Sequence, residues 1–196
     1  MPVQTIDVFD AVEIKNASVL FKGEQVTEPF GCVGKLDAET EVKSIQKLCG
    51  GVPQKKKTKP TQMNVKISGH MKLKVIRDIF GITNKNLIDG VYSYGVDSLG
   101  KDFSFVAEEF DTFEENTRLI AFPNCASATG FVKSVENGAE ELAEVELEIT
   151  ALPDEFGRFY YEGIELPEEV AKEWMTKFDP AKLRKGATTP KTVQAK

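Results

Sequence analysis

From Met63 to Lys74 the chain alternates without a break. Met63, Val65, Ile67, Gly69, Met71 and Leu73 interleave with Asn64, Lys66, Ser68, His70, Lys72 and Lys74. A period of two puts every apolar residue on one face and every polar residue on the other, which a helix cannot do. Glu144–Ala151 repeats the pattern, with Val145, Leu147, Ile149 and Ala151 set against Glu144, Glu146, Glu148 and Thr150. Strands with one wet face belong to antiparallel sheets, so the class is mainly β. At Val75 the period changes. Val75, Ile76, Ile79 and Phe80 fall at helical spacing and Gly81 is placed to end the turn, which predicts a short helix from about Lys72 to Phe80.

Further strands are expected at 11–21, near 26–36 (where Gly31 and Gly34 point to a bulge or close backbone approach), and at 91–95, 102–107, 118–122, 129–136 and 158–162. Pro167 opens a segment, 166–178, in which Val170, Trp174 and Phe178 share one face of a short amphipathic helix. Together these elements predict an antiparallel β-sandwich or barrel over residues 1–165 with one or two short flanking helices. Between Asp37 and Thr61 the period is poor. Gly50, Gly51, Pro53, Pro60 and the run Lys55-Lys56-Lys57-Thr58-Lys59 read as a long irregular connection, and partial alternation over Thr40–Leu48 could extend it into a protruding hairpin arm over about 37–62. Residues 179–196 read as a flexible basic tail. That tail holds five basic residues and one acidic, so the whole-chain charge of −6 hides a body of 20 basic against 30 acidic residues, or −10.

Little in the chain points to catalysis. There is no phosphate-binding glycine loop, no dinucleotide fingerprint and no nucleophile elbow. The single histidine, His70, lies on the polar strand face between lysines, a poor setting for a general base. Carboxylates cluster at Glu108, Glu109, Asp111, Glu114 and Glu115, and again at Glu136, Glu140, Glu141, Glu144, Glu146 and Glu148. Neither group has the spacing of a calcium loop, so no metal and no cofactor is expected. Cys32, Cys49 and Cys125 are too widely spaced for a zinc cluster or a redox pair. The first residues have neither the basic start nor the apolar core of a signal peptide, and no run of 18 apolar residues occurs, so a cytosolic site of synthesis and no membrane partner are expected. Lys55, Lys56, Lys57 and Lys59 lack interleaved aromatics and are weak as a nucleic-acid signal, so a solvated loop or contact with an acidic partner surface is the better expectation. One acidic surface is the chain's own. Lys66, Lys72 and Lys74 oppose Glu144, Glu146 and Glu148 in charge, either across strands or between subunits.

The order of features resembles the major tail tube proteins of long-tailed bacteriophages. The resemblance lies in Met63–Gly81 (MNVKISGHMKLKVIRDIFG), a long strand running into a short helix, and in Arg118–Glu162, where RLIAFPNCASATGFVKSV precedes the Glu-alternating strand and Asp154-Glu155-Phe156-Gly157-Arg158-Phe159-Tyr160-Tyr161. It spans roughly residues 10–165, and the Lys-rich segment and basic tail have no counterpart in it. It implies a structural virion protein, not an enzyme, made in the host bacterial cytoplasm and assembled into stacked hexameric rings. Those rings form the tail tube through which the genome is delivered. Tape measure, terminator and distal tail proteins would be its partners, and DNA would pass without specific binding. Contractile and non-contractile tails both fit. On this reading Glu144, Glu146 and Glu148 are candidates to line an acidic lumen that repels phosphate, and Lys55, Lys56, Lys57 and Lys59 are candidates for contact between subunits. The alternatives are another sandwich-type virion protein, such as a head–tail connector or decoration protein, and a monomeric β-sandwich binding module. The last would need an aromatic site, for which Tyr92, Tyr94, Tyr160 and Tyr161 are the candidates.

Overall fold

A computed structural model of the chain describes residues 8–111, 113, 116–133 and 144–184. In order, the elements are β1 (Glu13–Phe21), β2 (Glu28–Pro29), β3 (Gly31–Cys49), β4 (Val52–Met71), α1 (Leu73–Phe80), β5 (Phe103–Asp111), β6 (Asn116–Ser127), β7 (Val145–Ala151), β8 (Tyr161–Ile164) and α2 (Glu168–Thr176), followed by a 3₁₀ turn over Pro180–Leu183. The strands form one antiparallel sheet of eight, ordered β2-β1-β5-β6-β7-β4-β3, with β8 added on β6.

The sheet curls until its two ends approach. Phe30 donates its N–H to Ala17 of β1 and accepts one from Lys72 just past β4, so a single residue ties the opposite ends together. Strand β6 makes the curl possible by changing partners along its length. Its Arg118–Ala121 half pairs with β8 and its Cys125–Ser127 part pairs with β7. Pro123, which has no N–H to give a ladder, sits between the two parts.

Val19, Phe21, Phe30, Val65, Ile67, Phe105, Phe122, Leu147 and Ile149 fill the interior, and Val75, Ile76, Ile79 and Phe80 of α1 pack against them. The helix ends where expected because Gly81 takes a left-handed φ of 68°, and a side chain there would strike the Leu99 backbone. A smaller core lies on the other side of β5 and β6, where Val106, Leu119 and Ala121 meet Trp174 and Phe178. Trp174 also donates from Nε1 to the carbonyl of Ile120 at 3.2 Å. Strand β5 is therefore covered on both faces, which explains its continuous run Phe103-Ser104-Phe105-Val106-Ala107 in place of alternation.

Several expectations need correction. The strand near 26–36 is divided, Glu28–Pro29 from Gly31 onward, at the buried Phe30. Within 91–95 only Ser93 pairs, in an isolated bridge to Thr83. Residues 129–133 form no strand, β6 running instead to Ser127; 134–136 lie outside the described residues. The last strand is shifted to Tyr161–Ile164. Of the tail, 179–184 is ordered rather than flexible, with Asp179 capping the 3₁₀ turn and Leu183 packed on the smaller core; 185–196 lie outside the described residues. Of the two readings of 37–62, the protruding hairpin arm is the one the structure shows.

Candidate functional site

Residues 37–62 are not an irregular connection. They are the outer part of one continuous β3–β4 hairpin, paired from Gly31↔Met71 to Cys49↔Val52. A two-residue Gly50-Gly51 turn closes it, with φ of 60° and 79°. Positive φ at both central residues is the signature of the hairpin turn whose twist matches its strands. Poor alternation hid the ladder for a physical reason. Beyond Thr40 the ribbon leaves the core, both faces are wet, and nothing selects apolar residues at every second position. From Val42 to Cys49 it projects roughly 26 Å at the usual strand rise.

The register sorts the lysines. Lys43 stands opposite Lys59, Ile45 opposite Lys57 and Lys47 opposite Lys55. Directly opposed residues share a face, so Lys43, Lys47, Lys55, Lys57 and Lys59 form one basic stripe and Lys56 lies on the reverse. Val42–Pro60 holds six lysines and no Asp or Glu. Three of the expected arm residues, Lys55, Lys57 and Lys59, thus share one face with Lys43 and Lys47, and Lys56 lies on the other. Their signal was available in sequence as even spacing on either side of a Gly-Gly turn, Lys43 and Lys47 before it and Lys55, Lys57 and Lys59 after it.

At the foot of the hairpin the same outward face is acidic. Lys66 is flanked directly by Asp37 on β3 and Glu148 on β7, while Asn64 faces Glu39 and Ser68 faces Glu146. Glu144, Glu146 and Glu148 project together away from the core, as their alternation requires. Lys66 Nζ lies 2.9 Å from Glu148 Oε1 and Lys35 Nζ 2.6 Å from Asp37 Oδ2. The bond to Glu148 raises the Lys66 pKa above its ordinary value. Of the other two lysines expected on this face, Lys74 turns to Glu28 instead and Lys72 immediately precedes α1 and lines the cleft at the sheet's open edge. His70 is exposed opposite Cys32. Among the described residues at the foot, Asp37, Glu39, Glu41, Glu144, Glu146 and Glu148 thus share a face with Lys35 and Lys66.

No protein-family model matches the chain, and none of the curated proteins compared with it is significantly similar in sequence. Among solved structures it is similar to the cap that terminates the tube of the anti-feeding prophage. The match has 11% identity and a TM-score of 0.40, and covers 84% of this chain and 99% of that one. The likeness is loose.

The other candidate groups are dispersed into structural contacts. Glu109 pairs with Arg118 at 2.6 Å, Glu108 accepts from Asn16, and buried Asp111 accepts the N–H groups of Asp10 and Phe113. Glu114, Glu115, Glu136, Glu140 and Glu141 lie outside the described residues. Tyr160 packs on Phe122 and Tyr161 on Phe178, while Arg77 stacks over Tyr92 and Tyr94 meets Phe131. The four tyrosines are therefore not gathered into one aromatic site. No group of three or more His, Cys, Asp or Glu side chains among the described residues is placed to hold a metal ion. No helix among them is long and apolar enough to cross a membrane.

Two further surfaces stand open. Between the edges of β1 and β3 lies a cleft of about 970 Å³, lined by Glu13–Ser18, Gly31–Leu36 and Lys72. In the connection from α1 to β5, Ile88, Val96 and Leu99 are largely exposed. Sequence reasoning missed both, the first because it exists only once the sheet curls.

Proposed function

We propose that the chain is a structural subunit of the phage tail-tube type, which self-assembles into stacked rings through its hairpin arm and conducts a genome rather than acting on a substrate. One observation carries this reading. A ribbon of roughly 26 Å leaves the core carrying six lysines and no carboxylate, and opposes Lys43 to Lys59 and Lys47 to Lys55. Like charges directly opposite weaken a ladder, so an isolated subunit holds this ribbon at a cost that a neighbour's surface offsets. Open strand edges and exposed apolar loop residues supply further contact area of the kind that heterologous assembly uses, where the same two patches repeat around a closed ring.

Electron micrographs of concentrated, purified protein test the proposal. Rings or tubes of uniform diameter support it. Protein that stays monomeric at every salt concentration, and also in the presence of tail assembly factors, refutes it.

A further inference from the structure

The outward face of the hairpin is divided by charge along its length. Its foot, with Asp37, Glu39, Glu41 and Glu146 around Lys66, is acidic, and its tip is basic. The two centres, near Glu39 and near Ile45, are six residues apart on β3, or roughly 20 Å. That separation puts the outer lysines, Lys47, Lys55 and Lys57, beyond reach of the subunit's own foot along a paired ribbon. Lys43 follows Glu41 on the same strand face, so charge reverses within one step of the alternation.

We propose that the basic tip of one copy docks on the acidic hairpin foot of a second copy. The proposal rests on the self-assembly reading and adds to it the surface that receives the arm. Charge complementarity selects the occupant. Six carboxylates around two lysines leave the foot in need of cations, and the tip of an identical chain brings them without an acidic residue of its own. The cross-strand lysine pairs are then tolerated because each lysine gains a carboxylate from the neighbour. Covered in this way, Glu146 and its neighbours bind a partner instead of lining an open lumen, in contrast to the expectation for Glu144, Glu146 and Glu148.

Two charge reversals in the full chain test it: a tip variant (Lys55→Glu, Lys57→Glu, Lys59→Glu) and a foot variant (Glu39→Lys, Glu41→Lys, Glu146→Lys). All six positions are solvent-facing, circular dichroism verifies the fold, and Lys→Gln replacements at the tip provide a gentler second variant. Sedimentation should show wild-type association weakening from 0.05 M to 0.5 M salt. Each variant alone should associate at least tenfold more weakly, and an equal mixture should regain wild-type association because each tip again meets an opposite foot. Wild-type association in either variant, a folded mixture that stays monomeric, or a wild-type chain that never associates overturns the proposal. Loss of duplex DNA binding in the tip variant with self-association intact overturns it too, and assigns the tip to nucleic acid. Micrographs separate this proposal from the broader one. Tubes from both variants refute the docking and leave the tube reading standing, whereas salt-sensitive mixed complexes without rings or tubes support the docking and refute the tube.

Discussion

Lys43 and Lys59 stand directly opposite each other across the β3–β4 ladder, and no Asp or Glu lies between Val42 and Pro60 to separate their charges. A pairing that weakens the ribbon it belongs to is informative about what the ribbon meets.

Replacing one member should therefore strengthen the arm while harming assembly. In Lys59→Glu the like-charge pair becomes an opposite-charge pair, and amide exchange over Ser44–Thr58 should slow, corresponding to about 0.2–1 kcal/mol. Self-association should weaken in the same variant. Faster exchange in the arm would show that the lysine pair is not under repulsive strain.

The two halves of the hairpin show what the sequence could reveal. Met63–Met71 was legible because Val65 and Ile67 are buried while Lys66 and Ser68 face out, so burial had imposed its period on the sequence. Val52–Gln62 pairs too, with two register shifts, but no core lies beneath it, and Pro53, Pro60 and the lysine run looked like breakers. Partial alternation over Thr40–Leu48 and Gly50-Gly51 at the turn carried what signal there was. The acidic foot was half legible. Glu144, Glu146 and Glu148 follow from one strand's alternation, whereas Asp37 and Glu39 join them through the register with β4.

Thiol chemistry should divide the cysteines by position. Cys32 and Cys49 are exposed, Cys49 beside the hairpin turn, while Cys125 is buried and its burial pushes the thiol pKa up. A disulfide reagent at pH 8 should modify two thiols per folded chain, and the third only after denaturation. Assembly should slow modification of Cys49. Reaction of all three thiols in the folded protein would contradict the placement of Cys125.

Stability should fall at alkaline pH through the tyrosines. Partial burial, and then the bond to Asp154, push the Tyr161 hydroxyl up to about 12, and burial followed by the charge of Glu162 raises Tyr160 as well. The unfolded phenol titrates near 10, so the folded state holds its protons more tightly. The contribution is complete below about pH 10 and is lost as pH rises toward 12. Urea midpoints measured from pH 9 to 11.5 should decline, and Tyr161→Phe should flatten the decline. An unchanged slope in that variant would show that Tyr161 does not couple to folding.

Excision of the arm tests the central claim most directly. Glu41 and Gln62 are ladder partners, so Val42–Thr61 can be replaced by an Asn-Gly turn that closes the shortened hairpin. No buried residue is removed, and the thermal midpoint should stay within a few degrees of that of the full chain. Sedimentation velocity at a concentration where the full chain assembles should then find a folded monomer. Assembly of the armless chain to the same extent as the full one would contradict the account.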